Sequence, residues 1–326
     1  MWGNAQGWAI SAVLVLATVV AMYETATPQA ESRPMGLISA AYQPIALPVA
    51  ISVIAPPTKQ DCDAGGLYRQ AIIQYRNGPK PYDDPIHAAA SDLPGVGLVV
   101  QARDCGRMHL FDSRPQDLVN YDNDQPPLDA LTKLGEATNT IGLGLAVDNK
   151  AEEARPYFLG AFNLGRNLFE ERITWRELSV GLTLMSEAAQ NLARIADQTR
   201  EVARAEQFRR FQAETDKYRN QLQEGVAAPL GSASESYAGK FAGDIFDIAM
   251  NANVERVWRV QAILHLGRYR WNVSDEHRGD QAWADKELRI LETSLDARNS
   301  DPAILAAVHA AQNLTLEQHR TSLTGS

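Results

Sequence analysis

The chain has 326 residues, 40 of them acidic against 31 basic, and a formal net charge of −9. That balance argues against a nucleic-acid binder, which carries a locally basic face. Two cysteines are too few for a disulfide-built scaffold, and the lack of a CxxCH string excludes covalent haem attachment.

Residues 1–23 (MWGNAQGWAISAVLVLATVVAMY) carry no charged side chain. A helix rises about 1.5 Å per residue, so a stretch of this length can cross a roughly 30 Å hydrocarbon layer. The expectation is a single transmembrane helix in contact with membrane lipid, with Trp2 and Trp8 as interfacial aromatics. A cleaved signal peptide is the alternative, although the segment preceding the apolar run has no Lys or Arg. With only Arg33 as a nearby cation, orientation rests on the cysteines. A bridged pair suits the periplasmic side of the cytoplasmic membrane.

Residues 24–60 form a connector. Its part 34–58 is uncharged and carries prolines at 44, 48, 56 and 57, which rule out one straight helix. Such a segment is costly to leave in water. It lies on the membrane surface, runs against a partner subunit, or straps its own domain. Tyr42, Ile45, Leu47, Ile51 and Ile54 are the candidate contact residues.

Residues 61–127 read as an irregular subdomain whose acidic side chains are all Asp, the residue of turns and caps. Leu67–Tyr75 is a short amphipathic helix, with Leu67, Ala71, Ile72 and Tyr75 on one face. Val96–Ala102 is a short strand or buried run. Cys62 and Cys105 are the candidate disulfide, and two buried free thiols are the alternative. Asp83 or Asp84 with His87 has a minimal metal-ligand spacing, but no further ligands accompany it, and an N-cap before Pro85 is the simpler reading. No metal and no cofactor is expected.

From residue 128 to 326 the spacing predicts a helical body. Helices are expected from Leu128 to about Asp148, over Ala151–Arg172, Trp175–Ala196 and Thr199–Glu224. After a break at 225–234 come Tyr237–Met250, Asn253–Tyr269, Asp280–Leu295 and Pro302 to about Arg320. Gly135, Gly142 and Gly144 mark close helix packing rather than a ligand loop. Thr174 followed by Glu177 fits a capping box, and the short link before it makes an antiparallel hairpin. Arg268, Tyr269, Arg270, Trp271 and Trp283 form a candidate aromatic–arginine interaction surface, weighed against a core role.

The successive helices LGRYRW, HRGDQAWADKELRIL and SDPAILAAVHAAQNLT resemble alternating helices of an alpha-solenoid of the tetratricopeptide or HEAT-like kind. That resemblance implies stacked antiparallel helical hairpins and carries no functional residue with it.

The fold expected is therefore mainly α: a transmembrane helix, a loop-rich subdomain and an alpha-solenoid-like body. The function expected is a membrane-anchored, non-catalytic structural or scaffolding subunit that binds other subunits of a bacterial bioenergetic or secretion complex. The alternative is an extracytoplasmic helical enzyme or ligand-binding protein. For that reading Glu170, Glu171 and Glu177, beside a helix–helix turn, and the pair Asp244 and Asp247 supply carboxylates.

Overall fold

A computed structural model describes residues 47, 54, 59–78, 93–110, 126–224, 246–271, 278–296 and 301–315. In chain order these form strand β1 (Lys59–Asp63), helices α1 (Gly65–Asn77) and α2 (Val96–Gln101), and strand β2 (Cys105–Arg107). Then follow α3 (Pro126–Val147), α4 (Ala151–Glu171), α5 (Trp175–Gln198), α6 (Val202–Leu222), α7 (Arg256–Tyr269), α8 (Arg278–Asp296) and α9 (Pro302–Asn313). The fold is mainly α, built of helices packed on one another.

The α4–α5 hairpin is the spine. Thr174 starts α5 as the capping pattern requires: its hydroxyl accepts from the Glu177 N–H at 3.2 Å, and Glu177 Oε2 accepts from the Ile173 N–H at 2.6 Å. The two helices come together where each carries a glycine. A methyl group on Gly165 would sit 2.7 Å from the Gly181 carbonyl oxygen, and one on Gly181 would sit 2.8 Å from the Gly165 carbonyl oxygen. Side-chain-free backbone at the crossing lets two helices approach closer than any larger residue allows. Gly135 and Gly142 serve the same end, facing Leu184 and Phe158.

Two hydrophobic clusters lie on opposite sides of this spine. The larger draws Phe158, Phe162, Phe169, Leu182 and Met185 together with Phe208, Phe211, Trp258, Ile263, Leu288 and Val308 from α6 to α9. The smaller draws Leu164, Leu168 and Leu184 together with Tyr68, Ala71, Val96, Val99, Leu131 and Leu134. Because α4 is covered on both sides, Ala161 to Phe169 are all buried, including Asn163, Arg166 and Asn167. Along α4, Ala154, Phe158 and Ala161 face the larger cluster and Leu164 and Leu168 the smaller.

The structure bears on three readings. Among the described residues no helix is long and apolar enough to cross a membrane. The transmembrane helix, and with it the membrane-lipid partner, the single-pass localisation on the periplasmic side and the membrane-anchored scaffold function, is not carried forward. The segment 1–23 on which they rested lies outside the described residues. Second, of the two readings of Val96–Ala102 the buried run holds and the strand does not. It forms α2, because Gly95 supplies a left-handed start at φ 93° and Val96, Val99 and Ala102 then bury one helical face. Third, Leu67, Ala71, Ile72 and Tyr75 of α1 do pack on one cluster, and the structure adds Gly65 and Tyr68 as buried residues while Leu67 and Tyr75 are half-buried.

The two strands pair in parallel, with Lys59 opposite Cys105 and Asp63 opposite Arg107. Cys62 and Cys105 form a disulfide across this pair, 43 positions apart in sequence. A three-residue strand paired over that distance makes few ladder bonds, so the covalent link supplies much of its persistence. Substituting both cysteines by alanine is expected to cost about 2–5 kcal/mol, the usual range for loss of a native bridge. Urea denaturation of the oxidised wild type against the double variant measures it, and coincident curves would refute it.

Candidate functional site

The turn of the central hairpin, where α4 ends and α5 begins, gathers charge from three distant parts of the chain. The carbonyls at the end of α4 carry the negative pole of the helix and attract cations. Arg256, the first residue of α7, donates to the Glu171 carbonyl at 2.5 Å and pairs with Asp301 at 3.3 Å. Asp301 in turn caps α9 by accepting from the Ala303 N–H at 2.8 Å. Arg172 donates to the Phe169 carbonyl at 2.9 Å, lies over the Phe169 ring and pairs with Glu255 at 3.1 Å. Trp175 and Trp258 stack beside these contacts, with ring centroids 5.7 Å apart. Together they fasten the C-terminal helices to the hairpin turn.

The opposite wall is the chain leaving β2. Buried Arg166 donates to the Cys105 carbonyl at 2.7 Å, and buried Asn167 donates to the Tyr68 hydroxyl at 3.2 Å. Asp63 Oδ1 accepts from the N–H groups of Gly65 at 2.8 Å and His109 at 3.0 Å. The His109 ring lies 3.3 Å from the other Asp63 oxygen. Burial pushes the Asp63 carboxyl up, but these backbone donors and the imidazole outweigh it and hold it below its usual value. Arg69 donates to the His109 carbonyl at 2.8 Å, and the Leu110 N–H reaches Glu171 Oε1 at 3.1 Å.

Between the two walls lies a cleft of about 440 Å³. Gly106, Arg107, Met108 and His109 line one side, Asn167, Glu170, Glu171 and Ile173 the floor, and Arg256, Asp301, Pro302 and Ala303 the other side. Beneath the floor, Glu177 is fully enclosed, at 0% exposure. Its burial, with the charge of Glu171 next, pushes the carboxyl up to about 8, against the pull of the Ile173 and Thr174 N–H groups and of Arg256. Burial likewise raises Glu170, countered in part by Arg166 and Arg172, and lowers Arg166 itself.

Of the carboxylates singled out by sequence, Glu170 and Glu171 line the cleft and Glu177 underlies it. Asp247 is not part of it, and Asp244 lies outside the described residues. The arginine–tryptophan segment is engaged elsewhere. Arg270 donates to the Gln312 carbonyl at 2.6 Å and pairs with Asp285 at 2.6 Å, and the Trp271 indole donates to the Leu314 carbonyl at 2.8 Å. These bonds close the C-terminal end of α9. Arg268 is held down to about 10 by burial. The side chains of Tyr269 and Trp283 are outside the described set, as are Trp2, Trp8, Tyr42, Ile45 and Ile51 and the segment with Asp83, Asp84 and His87. Ile54 sits in the larger core at 4% exposure, and Leu47 packs against that core.

Arg107, His109, Asn167, Arg256 and Asp301 escaped sequence reasoning as site residues. Asp301 was legible only as a helix cap, which it is. Among the described residues no group of three or more His, Cys, Asp or Glu side chains could hold a metal. No protein-family model matches the chain. No curated protein and no solved structure matches it either.

Proposed function

We propose that this is a ligand-binding protein that takes a small charged molecule in the cleft at the hairpin turn. The observation that carries this reading is convergence. Residues 106–109, 167, 170, 171, 173, 256 and 301–303 meet around one cavity of about 440 Å³, within the size range of small-molecule sites. Its walls are fixed by hydrogen bonds and ion pairs between segments far apart in sequence, so the site is pre-formed, which lowers the entropic cost of binding. Binding fits better than acid–base catalysis here. Glu177, the carboxyl pushed furthest toward neutral pH, is enclosed and out of reach of a bound molecule.

The test is a thermal-shift screen against amino acids and short peptides, small carboxylates, polyamines and sugar phosphates. A ligand at 100 times its dissociation constant adds about 2.7 kcal/mol to stability, so a true hit raises the melting temperature with concentration. The expected result is a rise with at least one class that Glu170→Ala reduces. No rise with any class would overturn the reading.

A further inference from the structure

Resting on that reading, we propose that the ligand is a small zwitterion of the amino-acid or short-peptide type, with its ammonium group on Glu170 and its carboxylate on Arg107.

The argument sorts the ionic groups lining the cleft by what already engages them. Arg256 is held by the Glu171 carbonyl and by Asp301. Asp301 is held by Arg256 and by the N-terminus of α9. Glu171 accepts from the Leu110 N–H, and the His109 imidazole faces Asp63. These groups build the walls. Among the described residues two others are less fully engaged. Glu170 has a half-exposed carboxylate whose ion pair with Arg166 is long, at 3.8 Å, while the Arg166 guanidinium is turned onto the Cys105 carbonyl. Arg107 is exposed and, among the described residues, has no ion-pair partner.

One wall thus offers a cation and the floor offers an anion. A ligand with a single charge would satisfy one and leave the other without a charged partner beside it. A ligand with both charges satisfies both. The negative pole at the end of α4 adds to the preference for an ammonium group near Glu170. Burial also raises the Glu170 carboxyl, so an added cation there is worth more than at an open surface. Arg107 presents a planar fork that matches a carboxylate with two parallel bonds.

The experiment uses the full oxidised chain and isothermal titration with glycine, diglycine and triglycine, which vary the spacing between the charges. N-acetyltriglycine removes the cation and triglycinamide removes the anion. The expected result is that at least one of the three zwitterions binds, and that each blocked compound and each of Glu170→Gln and Arg107→Ala weakens binding about tenfold or more. A cross-check comes from pairing them: Glu170→Gln should no longer discriminate against the acetylated compound, and Arg107→Ala should no longer discriminate against the amide. Equal binding of blocked and unblocked compounds overturns the assignment. So does a hit in the wider thermal-shift screen confined to carboxylates, polyamines or sugar phosphates, which leaves the ligand-binding reading standing. Silence in both experiments removes that reading itself.

Discussion

Gly181→Val is expected to abolish cooperative folding, and Gly165→Ala to destabilise by about 1–3 kcal/mol, the usual cost of overpacking a rigid contact. The methyl on Gly165 would meet the Gly181 carbonyl oxygen at 2.7 Å and the Met185 nitrogen at 2.8 Å. Both are backbone atoms, which cannot swing aside as the end of a side chain can. Relief requires the two central helices to part, and both hydrophobic clusters are built on them. Helix propensity acts the other way, since alanine is favoured over glycine by up to about 1 kcal/mol in a helix. That opposition makes a sharp control. Gly66 and Gly97 are also helical, and a methyl on either meets nothing within 4 Å. Gly66→Ala and Gly97→Ala should therefore be neutral or stabilising, by up to about 1 kcal/mol. Urea denaturation followed by circular dichroism reads all four. A stable, cooperative Gly181→Val would show that the helices do not cross at these residues.

Raising the pH from 7 to 9 is expected to weaken the wild type, and Glu177→Gln to abolish that loss. The sign follows from the direction of the shift. The Glu177 carboxyl is held at about 8 in the folded chain, above its ordinary 4.5. Between those values the folded state keeps a proton that the unfolded state has lost. Its stabilising contribution is complete below 4.5 and is gone once the pH passes the folded value. His265 does not confuse the measurement. Burial lowers its imidazole from 6.5 to about 4, so its contribution changes only as the pH falls below 6.5. Glutamine mimics the protonated acid: its amide oxygen can still accept from the Ile173 N–H, and it carries no charge to desolvate. The variant should match or exceed the wild type at pH 9, by on the order of several kcal/mol. Glu177→Ala should instead be destabilised at every pH, because it leaves a buried backbone donor unpaired. Parallel wild-type and Glu177→Gln stability curves from pH 7 to 9 would refute the assignment.

Much of the helical body was legible because its signals are local. Thr174 with Glu177, Asp301 with Pro302, and the stripes Ala154–Phe158–Ala161 and Leu178–Leu182–Met185 are short-range patterns, and each marks a helix where one is found. The glycines at 135 and 142 could be read as packing positions for the same reason. The strands could not. β2 is three residues long, and its partner lies more than forty positions upstream, so no alternation betrays it. Val96–Ala102 is equally apolar as a strand or as one helical turn, and only Gly95 decides between them. The cleft was half visible. Glu170 and Glu171 stood beside a recognisable turn, but what faces them is set by tertiary contact. Arg107 ends a hidden strand, and Arg256 opens a helix 85 positions after the carbonyl it binds. The arginine–tryptophan run at 268–271 shows the converse. It has the composition of an interface, while its Arg270 and Trp271 also bond to carbonyls at the end of a neighbouring helix, a contact composition does not reveal.

The fastening of Arg256 to Glu171 and of Arg172 to Glu255 also sets an order in time. Helices α3 to α6 touch their sequence neighbours, and such local contacts form early and quickly. The cleft waits for pairings 83 and 85 positions apart, and for α9 to bring Asp301 to Arg256. The hairpins of α3 to α6 can therefore form before α7 to α9 dock, whereas the cleft is complete only once residues 301–303 reach Arg256.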